Sequence, residues 1–320
     1  RRTRRTSKEH LPKSTEIAAF WQGSYYSCLA YSIENEILKV SVEDKGAQLK
    51  SILYKNGEVE TLWQGDAKYW KGRAYNLFPI VGRLVDNKYI YDGKVYEMER
   101  HGFARNKNFV LIEKRSDYMA FAISVDDETK KSYPFDFVFI VEFSLQGNSL
   151  TVNYKVLNVG EGTMYFGLGS HPDFNVPFIG GKFEDYFVEF DKPCKPLKLE
   201  LSPSYFISGK KKAFPLLDDK SLYLKHDLFD NDAIVLTDVP KKLYLKRKDC
   251  DKYISVEYPK MPFLGLWHAP HTDAPYLCIE PWENLPSVDG GVEDITKKEN
   301  IGVLEPNGKY ESRMVITLNL

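Results

Sequence analysis

Glu280 stands in the stretch Leu277-Cys278-Ile279-Glu280-Pro281-Trp282-Glu283-Asn284-Leu285-Pro286. Residues 276–279 are apolar and read as a buried strand that ends at the carboxylate, since Pro281 has no N–H to give a ladder. A carboxylate half-buried beside an indole is pushed towards its neutral form, and its pKa rises towards that of a base working near neutrality. The face of Trp282 also suits packing against a sugar ring. On this stretch alone two readings are open: a general base, or a strand-end carboxylate paired with an Arg.

Three further stretches set polar groups among Gly, Pro and aromatic residues. In Asn76-Leu77-Phe78-Pro79-Ile80-Val81-Gly82-Arg83-Leu84, an Arg in an apolar run is costly unless a carboxylate or a ligand meets it. The planar fork of Arg83 suits vicinal hydroxyls; pairing with a core carboxylate is the alternative. In Arg100-His101-Gly102-Phe103-Ala104-Arg105, Gly102 lets the backbone come close to whatever His101 touches. Arg105 offers a charge fit for a phosphorylated ligand. A satisfied loop histidine is the plain alternative for His101. In Gly167-Leu168-Gly169-Ser170-His171-Pro172-Asp173-Phe174-Asn175, a strand Met164–Leu168 is expected to deliver His171 between Gly169 and Pro172. An imidazole with a pKa of about 6.5 is a natural proton donor at neutral pH. A His acid and a Glu base on different strands of one cavity would form an acid–base pair.

The elements that must hold these groups are strands. From Ile33 the hydrophobic period is two, with Leu38, Val40 and Val42 alternating with Lys39, Ser41 and Glu43. Further strands are expected at Gln48–Tyr54, Val59–Trp63, Tyr89–Tyr91, Lys94–Tyr96, Phe109–Glu113, Tyr118–Val125, Phe137–Leu145 and Ser149–Leu157. Asn56-Gly57 and Asp92-Gly93 are hairpin turns. The later half adds Thr163–Leu168, Tyr186–Phe190, Ala233–Thr237, Leu243–Arg247, Tyr253–Tyr258, Phe263–Trp267 and Tyr310–Asn319. Helices look short and few, with Ser221–Phe229 as a candidate. Many strands with frequent turns predict an all-β antiparallel sandwich or barrel. No linker or repeat divides residues 28–320, which are read as one domain.

Composition narrows the function classes. The 320 residues are 43% hydrophobic, enough for a substantial core, and the formal charge of −1 gives no bias towards nucleic acid or a membrane surface. No apolar run is long enough to span a bilayer. Cys28, Cys194, Cys250 and Cys278 lie far apart without a CxxC, which suits reduced thiols in a cytoplasmic protein. Cys278 reads as a small buried hydrophobe. Residues 1–27 open with Arg1-Arg2-Thr3-Arg4-Arg5-Thr6 and lack the apolar core of a secretory signal; they read as a disordered or cloning-derived extension.

NLFPIVGRL, HGFAR, GSHPDFN and CIEPWENLP, in this order, resemble the aldose 1-epimerases (galactose mutarotases), and their LacX-like branch in particular. The resemblance runs from about residue 31 to the C-terminus. It implies a large antiparallel β-supersandwich and an isomerase that needs no metal and no other cofactor. It implies His171 as general acid, Glu280 as general base and His101 as a second active-site histidine. Arg83 would bind hydroxyls, with Asn76, Arg105, Asp232 and Trp267 lining the sugar site. The partner is a small aldose, neither nucleic acid nor membrane, and the assembly a monomer or homodimer.

Other candidates carry less. His268 and His271 have no third ligand placed beside them and are read as loop residues near the cavity mouth. His10 and His226 are read as exposed. Glu283 and Asp289 are the carboxylates that could pair with Glu280 as in a two-carboxylate glycosidase, but Glu283 follows Glu280 too closely in a Pro-containing turn. Lys210-Lys211-Lys212 reads as a solvated loop. Three alternatives stand beside the free-hexose epimerase: a hexose-6-phosphate 1-epimerase, a catalytically silent carbohydrate-binding protein, and a β-sandwich glycoside hydrolase or lyase with a second carboxylate facing Glu280.

Overall fold

The computed structural model describes residues 28–320; the extension read from residues 1–27 lies outside them, as does His10. A nine-stranded sheet runs, edge to edge, Ser221–Tyr223, Tyr186–Phe190, Lys242–Arg247, Tyr253–Glu257, Lys309–Asn319, Ser149–Asn158, Phe137–Gln146, Tyr118–Ser124 and Val110–Lys114. An eight-stranded sheet faces it, in the order Ile207–Ala213, Leu197–Leu201, Ile234–Thr237, Phe263–Trp267, Tyr276–Trp282, Gly169–His171 and Tyr75–Leu77, with Asp173–Asn175 also paired to Tyr276–Trp282. A four-stranded sheet, Ala30–Glu34 to Val59–Glu60, adds to the same core. The long ladders are antiparallel. Among the described residues the one α-helix is the single turn Thr129–Ser132. No described helix is long and apolar enough to cross a membrane. The architecture is the all-β antiparallel sandwich that the period-two patterns predict.

The alternation of side chains explains the layers. Along Ser149–Asn158 the odd positions are half-buried, while Leu150, Val152, Tyr154 and Val156 are buried in the core. Each such side chain contributes about 1.5–3 kcal/mol of hydrophobic stabilisation. In the eight-stranded sheet both faces are covered. Leu264, Leu266, Leu277 and Ile279 point inward to the main core. Phe263, Trp267, Tyr276, Cys278 and Trp282 point outward into two smaller apolar clusters. Tyr154 in the nine-stranded sheet donates to Ser170 Oγ at 2.8 Å, which fixes Ser170 as inward and its neighbour His171 as outward.

Four local expectations are revised. The strand carrying Glu280 does not stop there but runs Tyr276–Trp282, with Glu280 opposite Gly265 and Pro281 opposite Leu264. Ile279 N–H donates to Pro172 O and Glu283 N–H to Leu168 O. The same register sets Pro281 opposite Ser170, so the ladder on that side lacks one N–H between those two bonds. His171 is delivered by its own three-residue strand, Gly169–His171; Met164–Phe166 pairs elsewhere, with Gly302–Leu304. The candidate helix Ser221–Phe229 is a strand, Ser221–Tyr223, followed by a 3-10 turn, His226–Phe229. Lys210-Lys211-Lys212 lies in the edge strand Ile207–Ala213, where lysines discourage pairing with another chain.

Candidate active site

His171 and Glu280 meet on the outer face of the eight-stranded sheet. His171 Nε2 lies 3.2 Å from Glu280 Oε2, and the residues are only 6% and 2% exposed. Burial dominates both pKa values. It pushes His171 down to about 3, with Arg105 and Arg100 adding repulsion. It pushes Glu280 well above the usual carboxylate range, with the charge of Asp232 adding to the rise and Trp282 and Arg100 opposing it. Both groups thus favour their neutral forms, and the proton of the pair rests on the carboxyl, facing an unprotonated imidazole.

Two glycines make room for the Trp282 indole beside the pair. A Cβ on Gly169 would lie 3.0 Å from Trp282 Cδ1, and one on Gly265 would lie 3.1 Å from Trp282 Cζ2. The indole therefore lies across both neighbouring strands. Trp70 covers His171 from the other side, with ring centroids 5.1 Å apart. Its backbone carbonyl accepts from Trp63 Nε1 at 3.0 Å, which anchors it. Trp267, 6.4 Å from His171 by ring centroids, and Tyr75, at 6.0 Å, complete an aromatic wall.

The stretches around Arg83 and His101 are laced together. His101 N–H donates to Gly82 O at 2.8 Å, Ala104 N–H to Phe78 O at 3.1 Å, and Gly82 N–H to His101 Nδ1 at 3.1 Å. Because Nδ1 accepts, the neutral His101 ring carries its proton on Nε2. Burial, then His171 and the nearby guanidinium groups, hold its pKa well below the ordinary value. Its ring meets His171 edge-on at 5.6 Å. A hydrogen-bond donor is thus fixed beside the acid–base pair.

Cations rim the site. Burial lowers the pKa of Arg100, with Arg83 and Arg105 adding repulsion and Asp232 and Glu280 opposing it. Arg83 lies over the Tyr205 ring at 5.5 Å and Arg105 over Tyr75 at 5.3 Å. The expected residues His171, Glu280, His101, Arg83, Arg105, Asp232 and Trp267 therefore gather in one region. Asn76 does not join them. It pairs with inward-facing Ser170, and its amide donates to Gly46 O at 2.9 Å and Ala47 O at 2.8 Å. Its neighbour Tyr75, opposite His171, takes the site-facing position.

Several site residues escape the sequence reading. Trp70 and Arg100 carry no motif of their own, although Arg100 adjoins His101. Asp173 had a signal: it stands two residues after His171, hence on the same face. It is fully buried, neither carboxylate oxygen has a hydrogen-bond partner among the described residues, and burial raises its pKa well above the usual range, with Glu280 adding to the rise. His268 and His271 lie away from the pair. His268 is buried and bonded to His226 at 3.1 Å, while His271 pairs with Asp230 at 3.3 Å. His226 is half-buried against Phe183 rather than exposed. Glu283 faces inward, near Ser312 and Tyr310, away from Glu280. The four cysteines are unpaired with one another.

The sequence and the fold have counterparts among known proteins. The sequence profile of aldose 1-epimerase matches residues 30–317. Protein LacX (chromosomal) of Lactococcus lactis subsp. lactis is 34% identical over 266 residues, covering 80% of this chain and 88% of that protein. A galactose mutarotase related enzyme from Lactobacillus acidophilus superposes with a TM-score of 0.87 at 32% identity, over 91% of this chain and 98% of its own. A galactose mutarotase-like protein from Lactobacillus casei gives 0.85 at 29%, over 91% of this chain and 100% of its own. With these matches spanning nearly all of residues 28–320, the chain belongs to the aldose 1-epimerase family.

Proposed function

We propose that the protein interconverts the α and β anomers of a free hexose. The observation that carries this is the buried contact of 3.2 Å between His171 Nε2 and Glu280 Oε2 beneath Trp70. Moving the shared proton across that contact gives an imidazolium and a carboxylate. Glu280 then takes the proton of the C1 hydroxyl while His171 gives its proton to the ring oxygen. The bond from C1 to the ring oxygen breaks and C1 becomes an aldehyde. Rotation about C1–C2 followed by the reverse transfers closes the ring as the other anomer. Each transfer contributes roughly 10²–10⁴-fold. His101 Nε2–H and Arg83 hold hydroxyls, and the indole faces pack on the ring. Unpaired cysteines suit a reducing compartment, and we place the enzyme in the cytoplasm.

A hexose 6-phosphate is the second reading, supported by the guanidinium groups of Arg83 and Arg105 both lying close enough to Arg100 to repel its charge. Polarimetry of freshly dissolved α-D-glucose and α-D-galactose in weak buffer tests the first reading. Accelerated decay to the equilibrium rotation supports it, and the faster sugar begins to set specificity. Decay accelerated with glucose 6-phosphate alone moves the assignment to the second. No acceleration with any of the three leaves a carbohydrate-binding protein.

A further inference from the structure

We infer that the floor of the site is also a binding site for a thiophilic divalent cation of the zinc class, held by His171, Cys278 and Glu280 with Asp173 as the fourth ligand. Cys278 and Glu280 are two residues apart on one strand, and Asp173 is the cross-strand partner of Cys278. His171 stands two residues before Asp173. All four therefore share the outward face of the sheet. The ligand atoms of His171, Cys278 and Glu280 lie within 4.8 Å of one another, and all three residues are buried. Ligands on a tetrahedral zinc stand about 3.3–3.7 Å apart, given metal distances of roughly 2.0–2.3 Å. The contact of 3.2 Å between His171 and Glu280 is close to that spacing as it stands, and Cys278 Sγ lies within 4.8 Å of both.

Asp173 is the independent sign. A fully buried carboxyl without a partner costs about 1–3 kcal/mol, and here both oxygens are left over beside the triad. A cation would satisfy them. One nitrogen, one sulfur and two carboxylates favour zinc or cadmium over magnesium or calcium. Binding releases the Cys278 thiol proton and the carboxyl protons to solvent, so affinity rises with pH. The metal would occupy the acid–base pair and block anomer exchange. That inhibitory consequence rests on the proposed function; the binding does not.

The test titrates the full chain with Cd²⁺ and follows the ultraviolet thiolate-to-cadmium band, alongside polarimetry with Zn²⁺ and with excess chelator. The expected result is a saturable band, weakened roughly 10- to 100-fold in apparent affinity by Cys278→Ser and by Asp173→Asn, with Zn²⁺ inhibition relieved by chelator in the wild type and reduced in Cys278→Ser. No band, or a band unchanged in Cys278→Ser, overturns the site, since the metal would then lie on another cysteine. If a variant fails to fold, X-ray absorption of the Zn²⁺-loaded wild type decides: one sulfur with nitrogen and oxygen neighbours supports the site, and a shell without sulfur overturns it. A band lost in Cys278→Ser from a protein without mutarotation keeps the metal site and removes the epimerase reading.

Discussion

Glu280 holds its proton because it is buried, and this has a measurable sign. The folded state keeps a proton that the unfolded chain gives up, so stability from this group is lost as pH rises above the ordinary carboxylate range. Glu280→Gln has no proton to lose and can still donate to His171 Nε2. It is expected to reduce anomer exchange at least about 10²–10⁴-fold, and its melting temperature should gain on the wild type as pH rises. Equal activity would remove Glu280 as base. His171 has the opposite sign: its pKa falls from 6.5 to about 3, so the fold loses stability as pH drops through that window. His171→Asn is expected to lose activity and to resist acid better than the wild type in melts across the same window. Asp232 raises the Glu280 pKa and Arg100 lowers it. In pH profiles of kcat/KM, Asp232→Asn should move the alkaline limb down and Arg100→Met should move it up; shifts in the same direction would break the field argument. At this scale the sequence showed His171, His101 and Arg83 through their Gly and Pro neighbours. It did not show Asn76 turned inward, because the face of a three-residue strand is set by the strand it pairs with.

Among the elements, the turn at Arg100–Arg105 shows how the site is held. Gly102 has φ +72°, and a Cβ there would lie 2.3 Å from Phe78 O. Gly102→Ala is therefore expected to cost more than about 2 kcal/mol, read as a fall in the urea midpoint, and to reduce activity through misplaced His101. An unchanged midpoint would show that the loop can give. Several strands were legible to the residue, Tyr186–Phe190 by its alternation and Gln48–Tyr54 and Phe263–Trp267 by their apolar, β-prone residues. Those that carry His171 and Asp173 were not. Gly169–His171 and Asp173–Asn175 are three residues each, too short for a period to show. Pro281 marked a stop to local reasoning, yet the strand runs on past it to Trp282.

Over the whole molecule, one buried cluster reaches from Ile33 to Leu318 and joins three sheets. The fold class was legible because period two recurs through the chain; the order of strands was not, since pairing such as Lys309–Asn319 with Ser149–Asn158 joins distant segments. The eight-stranded sheet ends at Ile207–Ala213, whose three lysines guard an open edge. Replacing Lys210, Lys211 and Lys212 by Thr is expected to promote self-association, seen as a rise in sedimentation coefficient with concentration; an unaltered profile would show that the edge is protected by other means.

The strand Tyr276–Trp282 divides its labour by parity. Leu277 and Ile279 look to the core, while Cys278, Glu280 and Trp282 lie on the opposite face, with Glu280 against His171. Substitutions at the even positions can therefore be sampled by selection or by design with little disturbance to the sandwich behind them, and the odd positions can be repacked without retuning the chemistry. A scaffold arranged in this way separates the inheritance of its shape from the inheritance of its specificity.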